Sequence, residues 1–118
     1  MQRIWIGLGS LAGFGAVAMA AFAAHGVSDA ALAHIVSSGV QMQGWHALAL
    51  LGVGLWAPRG GRLADAAGAA FAVGMLLFCG ALYTHGLTGV SLGSVAPTGG
   101  TLLMIGWLLL AASALRAR

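Results

Sequence analysis

Four long apolar stretches divide the chain, at residues 4–24, 40–57, 66–83 and 99–115, and none of them contains Asp, Glu, Lys or Arg. A helix rising ~1.5 Å per residue needs about 20 residues to cross a hydrocarbon core, and each stretch is close to that length. Backbone groups in lipid must satisfy one another, so such stretches are helices and not isolated strands. The pattern predicts an all-α, polytopic membrane protein, a bundle of four transmembrane helices forming a single domain over residues 1–118. Between the first two helices, Ser28 is a candidate N-cap and Asp29 suits the positive end of a helix. Leu32, Ile35 and Val36 then recur at helical spacing, which predicts a short interfacial helix over residues 29–38, broken by Gly39. Residues 91–100, rich in Gly and Ser and containing Pro97, read as a turn.

Composition agrees with this pattern. The chain is 60% hydrophobic and 6% charged, whereas soluble domains carry roughly 25% charged residues. Too few charges are present to cover a water-facing surface, so the surface meets lipid. The net charge of +3 comes from arginines scattered at loops and ends, which argues for topology signals and against nucleic-acid binding. Arg3 precedes the first stretch, Arg59 and Arg62 separate the second from the third, and Arg116 and Arg118 follow the fourth. With four crossings all five fall on one face, so the positive-inside rule predicts cytoplasmic N- and C-termini. The first stretch, with Arg3 before it and the run Ala20-Ala21-Phe22-Ala23-Ala24 at its end, also has the form of a cleavable leader; we read it as a helix. Trp5 and Trp56 are expected near the inner interface, Trp45 and Tyr83 towards the outer one. Trp107, mid-helix, is expected to face inward because its indole N–H needs a partner.

Small residues set the expected packing. Gly9 and Gly13 form a GxxxG pair, and Ala66, Ala70 and Gly74 a small-xxx-small ladder; both let helix backbones approach. Polar side chains gather towards the predicted outer side, with His25 ending the first helix, Gln43 and His46 in the second, His85 ending the third and His34 on the interfacial helix. Three chemistries compete for them. Metal or haem ligation draws on imidazole, and Met42, four residues before His46, would suit copper(I); no HExxH, CxxCH or cysteine cluster supports it, and no metal or cofactor is assigned. Transport draws on an intramembrane titratable group, for which His46 is the candidate, although small four-helix drug exporters use an acidic residue that is missing here. The plainest reading has these side chains hydrogen-bonding between helices. Cys79, within an apolar run, reads as a small buried residue. Paired carboxylates, a nucleophilic triad and a phosphate-binding glycine loop are all lacking, which predicts no enzyme.

Several segments in order carry a family resemblance. Ala24-His25-Gly26 is similar to an Ala-His-Gly motif. Gly39-Val40, Gln43 and His46-Ala47-Leu48-Ala49-Leu50 are similar to a Gly-Val-x-x-Gln-x-x-His-Ala-Leu-Ala-Leu stretch. Phe78-Cys79-Gly80-Ala81-Leu82-Tyr83 is similar to Phe-Ser-Gly-Ser-Leu-Tyr, and Pro97-Thr98-Gly99-Gly100 with Gly106-Trp107 completes the set. The chain resembles the YgdD-like family of small bacterial inner-membrane proteins, related to eukaryotic transmembrane protein 256. Met42 stands where that family tends to have Tyr, and His85 where it is usually apolar. The resemblance implies a four-helix protein of the bacterial inner membrane and brings no activity with it. The expected role is a non-enzymatic accessory or assembly subunit, partnered by the lipid bilayer and by a larger membrane complex or a homo-oligomer. The alternative is a small transporter or ligand-binding bundle built on His25, Gln43 and His46.

Overall fold

A computed structural model of the chain describes residues 1–117. These form three helices, α1 (Gln2–Gly26), α2 (Ala30–Thr88) and α3 (Val95–Arg116), all long and apolar enough to cross a membrane. The expected four separate helices are therefore corrected to three. The second and third expected helices belong to one hydrogen-bonded element, as does the segment expected to be interfacial. Helix α2 cannot be straight. Its 59 residues would extend ~88 Å at 1.5 Å each, while the molecule measures 51 × 26 × 16 Å.

The reversal sits at Gly61, with φ 63° and ψ −145°. This conformation is essentially reserved for glycine, because a Cβ would collide with the backbone. Pro58, one turn earlier, removes an amide donor and weakens the ladder just before the bend. Two arms result, residues 30–60 and 62–88. Residues forty apart along α2 consequently touch, as where the Cys79 thiol donates to the Gly39 carbonyl at 3.4 Å.

The first arm runs unbroken through Gly39. That glycine ends no helix; it is buried and serves as a socket, since a Cβ there would stand 2.8 Å from the Tyr83 ring. The arm is capped one residue later than expected, by Asp29, whose Oδ1 accepts from Leu32 N–H at 3.0 Å. Helix α3 likewise starts earlier than expected, after Ser94, and Pro97 is accommodated in its first turn, where an amide proton has no intrahelical partner.

Helices α1 and α3 each pack on α2, and among the described residues they do not pack on one another. The core accordingly follows the two arms. Leu50, Val53, Ala67, Phe71, Met75 and Cys79 are buried there, with Trp5 contributed by α1 and Leu103 by α3. Lipid gives little hydrophobic drive for helices to associate, so close approach must come from small residues. Gly74 and Gly99 provide the closest, between the second arm and α3. A Cβ on Gly74 would lie 2.9 Å from the Gly99 carbonyl oxygen, and one on Gly99 2.8 Å from that of Gly74. Gly9 fits against the first arm, where a Cβ would meet the Ala47 carbonyl oxygen at 2.9 Å, and Gly13 faces Ala47 more loosely. The GxxxG face is thus occupied within the chain and is not free for association. The ladder on the second arm is also displaced from expectation. Ala66 is exposed and Ala70 half-buried, while Ala64, Ala67, Gly68 and Gly74 form the buried small-residue face.

Candidate functional site: two polar links in the helix core

Gln43 and His46 lie three residues apart on the first arm, so their side chains leave it on adjacent sides. Gln43 turns towards α1 and the second arm. Its amide N–H donates to the Ala12 carbonyl at 2.9 Å, and its Oε1 accepts from the Tyr83 hydroxyl at 2.6 Å. The Ala12 carbonyl can only accept, which fixes the amide orientation and leaves Oε1 for Tyr83. One side chain therefore ties α1 and both arms of α2 together.

His46 turns towards α3. It is 2% exposed, with Nδ1 2.6 Å from the Met42 carbonyl and Nε2 3.0 Å from the Trp107 indole nitrogen. An indole N–H only donates and a carbonyl only accepts, so Nδ1 carries the proton and Nε2 presents its lone pair. An imidazolium would set two N–H groups against each other at Trp107. The geometry therefore holds the ring as the neutral Nδ1–H tautomer. Phe71 completes a group of three rings, 5.5 Å from His46 and 5.0 Å from Trp107 between centroids, all in tilted or edge-on arrangements that suit ring quadrupoles. Trp107 presents its N–H inward while 47% of its surface stays exposed.

These links lie deeper than the outer side on which the sequence places them. Gln43 is level with Ala12, near the middle of α1, and His46 is level with Trp107, near the middle of α3. The reason is that the first arm begins at Ala30 and not at residue 40, which adds almost three turns above them. Nor do the histidines converge. His25 and His34 are exposed and His85 is half-buried at the far end of the second arm. Among the described residues no group of three or more His, Cys, Asp or Glu side chains comes together. The expected pocket of His25, Gln43 and His46 is not formed. The pairing of Met42 with His46 is through the Met42 backbone, and the one lone pair of His46 is taken by Trp107.

Two further links were not anticipated. The Trp5 indole donates to Asp65 Oδ1 at 2.7 Å, joining α1 to the second arm, and the Trp56 indole donates to Ser113 Oγ at 2.9 Å, joining the first arm to α3. The Ser113 hydroxyl in turn donates to the Leu110 carbonyl at 2.6 Å. Their sequence signal is positional: each tryptophan stands about one turn inside a helix end, and Asp65 stands one turn inside the second arm. Each of these ends also carries an arginine. Among the described residues no buried side-chain nitrogen or oxygen lacks a partner.

A cavity of about 370 Å³ separates α1 from the second arm. Leu8, Leu11, Met75 and Leu76 form its walls, and Gln43 and Tyr83 give it a polar end. A crevice of about 260 Å³ lies further along α1, among Ala20, Ala24, Ala33 and Ser37.

Comparison with known proteins places this arrangement among small bacterial membrane proteins. A "UPF0382 membrane protein" of Haemophilus influenzae is 34% identical over 122 residues, covering 100% of this chain and 98% of the relative. One from Staphylococcus epidermidis is 36% identical, covering 98% of each chain. The "UPF0382 inner membrane protein YgdD" of Escherichia coli is 31% identical, covering 99% of this chain and 93% of its own. No solved structure matches the chain. The family described as "Protein of unknown function (DUF423)" matches residues 19–100, and the chain is an integral membrane protein belonging to that family.

Proposed function

We propose that this protein is a non-enzymatic accessory or assembly subunit that binds laterally to a larger membrane complex or to a second copy of itself. The observation that carries this reading is Gln41. It lies on the outward side of the first arm, exposed, in a row with Trp45, Leu48, Gly52 and Leu55, all exposed as well. Trp45 is 60% and Leu48 68% exposed. The row follows i, i+4, i+7, i+11 and i+14 spacing, one face of a helix. The Gln41 side chain makes no hydrogen bond among the described residues, in contrast to the satisfied polar groups of the interior. It stands ~16 Å along the arm from Ala30, and a hydrocarbon core of ~30 Å centred on a 51 Å molecule would enclose it. An amide facing lipid at that depth is costly, and a neighbouring helix that hydrogen-bonds it removes the cost.

Four crossings, with α2 contributing two through its bend, fit this reading. Arg3, Arg59, Arg62 and Arg116 lie at the end where α1 begins, α2 reverses and α3 stops. Positive-inside bias supports placing that end, and both termini, in the cytoplasm of a bacterial inner membrane.

Native mass spectrometry of the protein extracted gently from its own membrane tests the reading. A partner in defined ratio is expected, and Gln41→Leu should remove it while leaving helix content unchanged, because the exposed Gln41 side chain makes no hydrogen bond within the described residues. A protein that runs alone, or a partner retained unchanged by Gln41→Leu, overturns the proposal.

A further inference from the structure

We infer that the cavity between α1 and the second arm of α2 is the seat of one acyl chain of an anionic phospholipid, whose headgroup is held by Arg3 and Arg62. The inference does not depend on the subunit reading.

Two separate features of the molecule meet here. The first is the cavity itself, whose ~370 Å³ falls in the roughly 300–1,000 Å³ range of ligand pockets and is apolar along most of its length. It opens sideways, past Leu11 and Leu76, which are 70% and 74% exposed. A site with its mouth at the side of a membrane protein receives its ligand from the bilayer. The second feature is charge. The two helices that wall the cavity each begin with an arginine at the same end of the molecule. Arg3 and Arg62 are exposed and make no ion pair among the described residues. Asp65, the one acidic side chain at this end among the described residues, is turned inward to Trp5.

The register connects headgroup and chain. Leu76 and Gly80 follow Arg62 by four and five helical turns, so they share its face of the second arm. Leu11 follows Arg3 through the i, i+4, i+8 row of α1. From Arg62 to Leu76 is ~21 Å along the helix, within reach of an extended chain whose phosphate sits at the interface. Guanidinium groups bind phosphate through paired N–H donors, and a zwitterionic headgroup would bring its own cation against them. Trp5 is buried between α1 and the second arm beside Gly68, so the path from the arginines to the cavity runs along the lipid side of the two helices.

The test is native mass spectrometry of the purified full-length protein given an equimolar mixture of phosphatidylglycerol and phosphatidylcholine of identical chains. The wild type should retain one phosphatidylglycerol in preference to phosphatidylcholine. A basic residue near an anionic surface contributes about 1 kcal/mol, or about fivefold. Arg3→Gln with Arg62→Gln should therefore lower the preference by roughly twenty-five-fold, and Arg116→Gln, on α3, should leave it in place. Gly80→Leu puts a side chain into the cavity wall at a position where a Cβ meets nothing within 4 Å, and it should abolish retention with both arginines intact. Equal retention of the two lipids by the wild type overturns the inference. So does an equal loss from Arg116→Gln, which would mean diffuse attraction, or full retention by Gly80→Leu, which would mean that no chain occupies the cavity.

Discussion

Replacing Gln43 by leucine keeps nearly the same volume and removes both of its hydrogen bonds, to Ala12 and to Tyr83. Hydrogen bonds between membrane helices contribute about 0.6 kcal/mol on average and at most about 1.7 kcal/mol. Leaving a buried donor without an acceptor costs about 1–3 kcal/mol more broadly. The Tyr83 hydroxyl would be stranded in an apolar cavity but on a half-buried residue, so the lower part of that range applies. Gln43→Leu should then destabilise the fold by about 2 kcal/mol. Tyr83→Phe removes one bond and leaves the link to Ala12, so about 1 kcal/mol is expected. The double variant should cost about 1 kcal/mol less than the sum, because the shared bond can be lost only once and the stranded hydroxyl is gone. The assay is reversible unfolding from mixed micelles into dodecyl sulfate, followed by circular dichroism for all four members of the cycle. Strict additivity would refute the Gln43–Tyr83 bond. A neutral Gln43→Leu would refute the role of that side chain in tying three helical segments together.

Two further outcomes are expected. Nitrogen-15 NMR of histidine-labelled protein in bicelles should find His46 with Nδ1 protonated and Nε2 unprotonated; the opposite tautomer would contradict the bonds to Met42 and Trp107. Gly61→Ala forces a Cβ into φ 63°, ψ −145°, and should cost about 1–3 kcal/mol in the same unfolding assay; unchanged stability would mean that the bend is made elsewhere.

Lipid exposure is written into single residues, which is why the apolar stretches and the membrane class are legible from sequence. Helix ends were less so. Gly39 reads as a breaker because glycine costs helix propensity, yet between membrane helices a glycine is often the place where a neighbour's side chain fits, and the Tyr83 ring occupies that place here. The neighbour is forty-four residues away, and no local pattern announces it. The bend has the same ambiguity. Arg59, Gly60, Gly61 and Arg62 read as a loop between two helices, whereas hydrogen bonding continues to either side of a single reversed residue. Of the polar residues singled out, Gln43, His46, Tyr83 and Trp107 do lie in the helix core, because an amide, imidazole, phenol or indole in an apolar run must find a partner. Which partner depended on depth. A depth counted from residue 40 puts Gln43 and His46 almost three turns nearer the surface, beside His25, from which the longer first arm of α2 separates them. Asp65, close to Arg62, reads as a charge at a loop position; only packing reveals its bond to Trp5.

Helices α1 and α3 meet α2 but not each other, and this orders the birth of the molecule. Every long-range partner of α1 lies on α2, so α1 waits in the membrane only until the first arm has emerged behind it. The arms then close on themselves across Gly61, and only that closed hairpin offers α3 its two-sided seat of His46, Phe71 and Gly74. Assembly can run in the direction of synthesis, each new segment docking on one already in place. A chain ending at residue 94 would keep the hairpin but leave the α3 seat open, with His46 and Phe71 turned to lipid in place of Trp107 and Leu103.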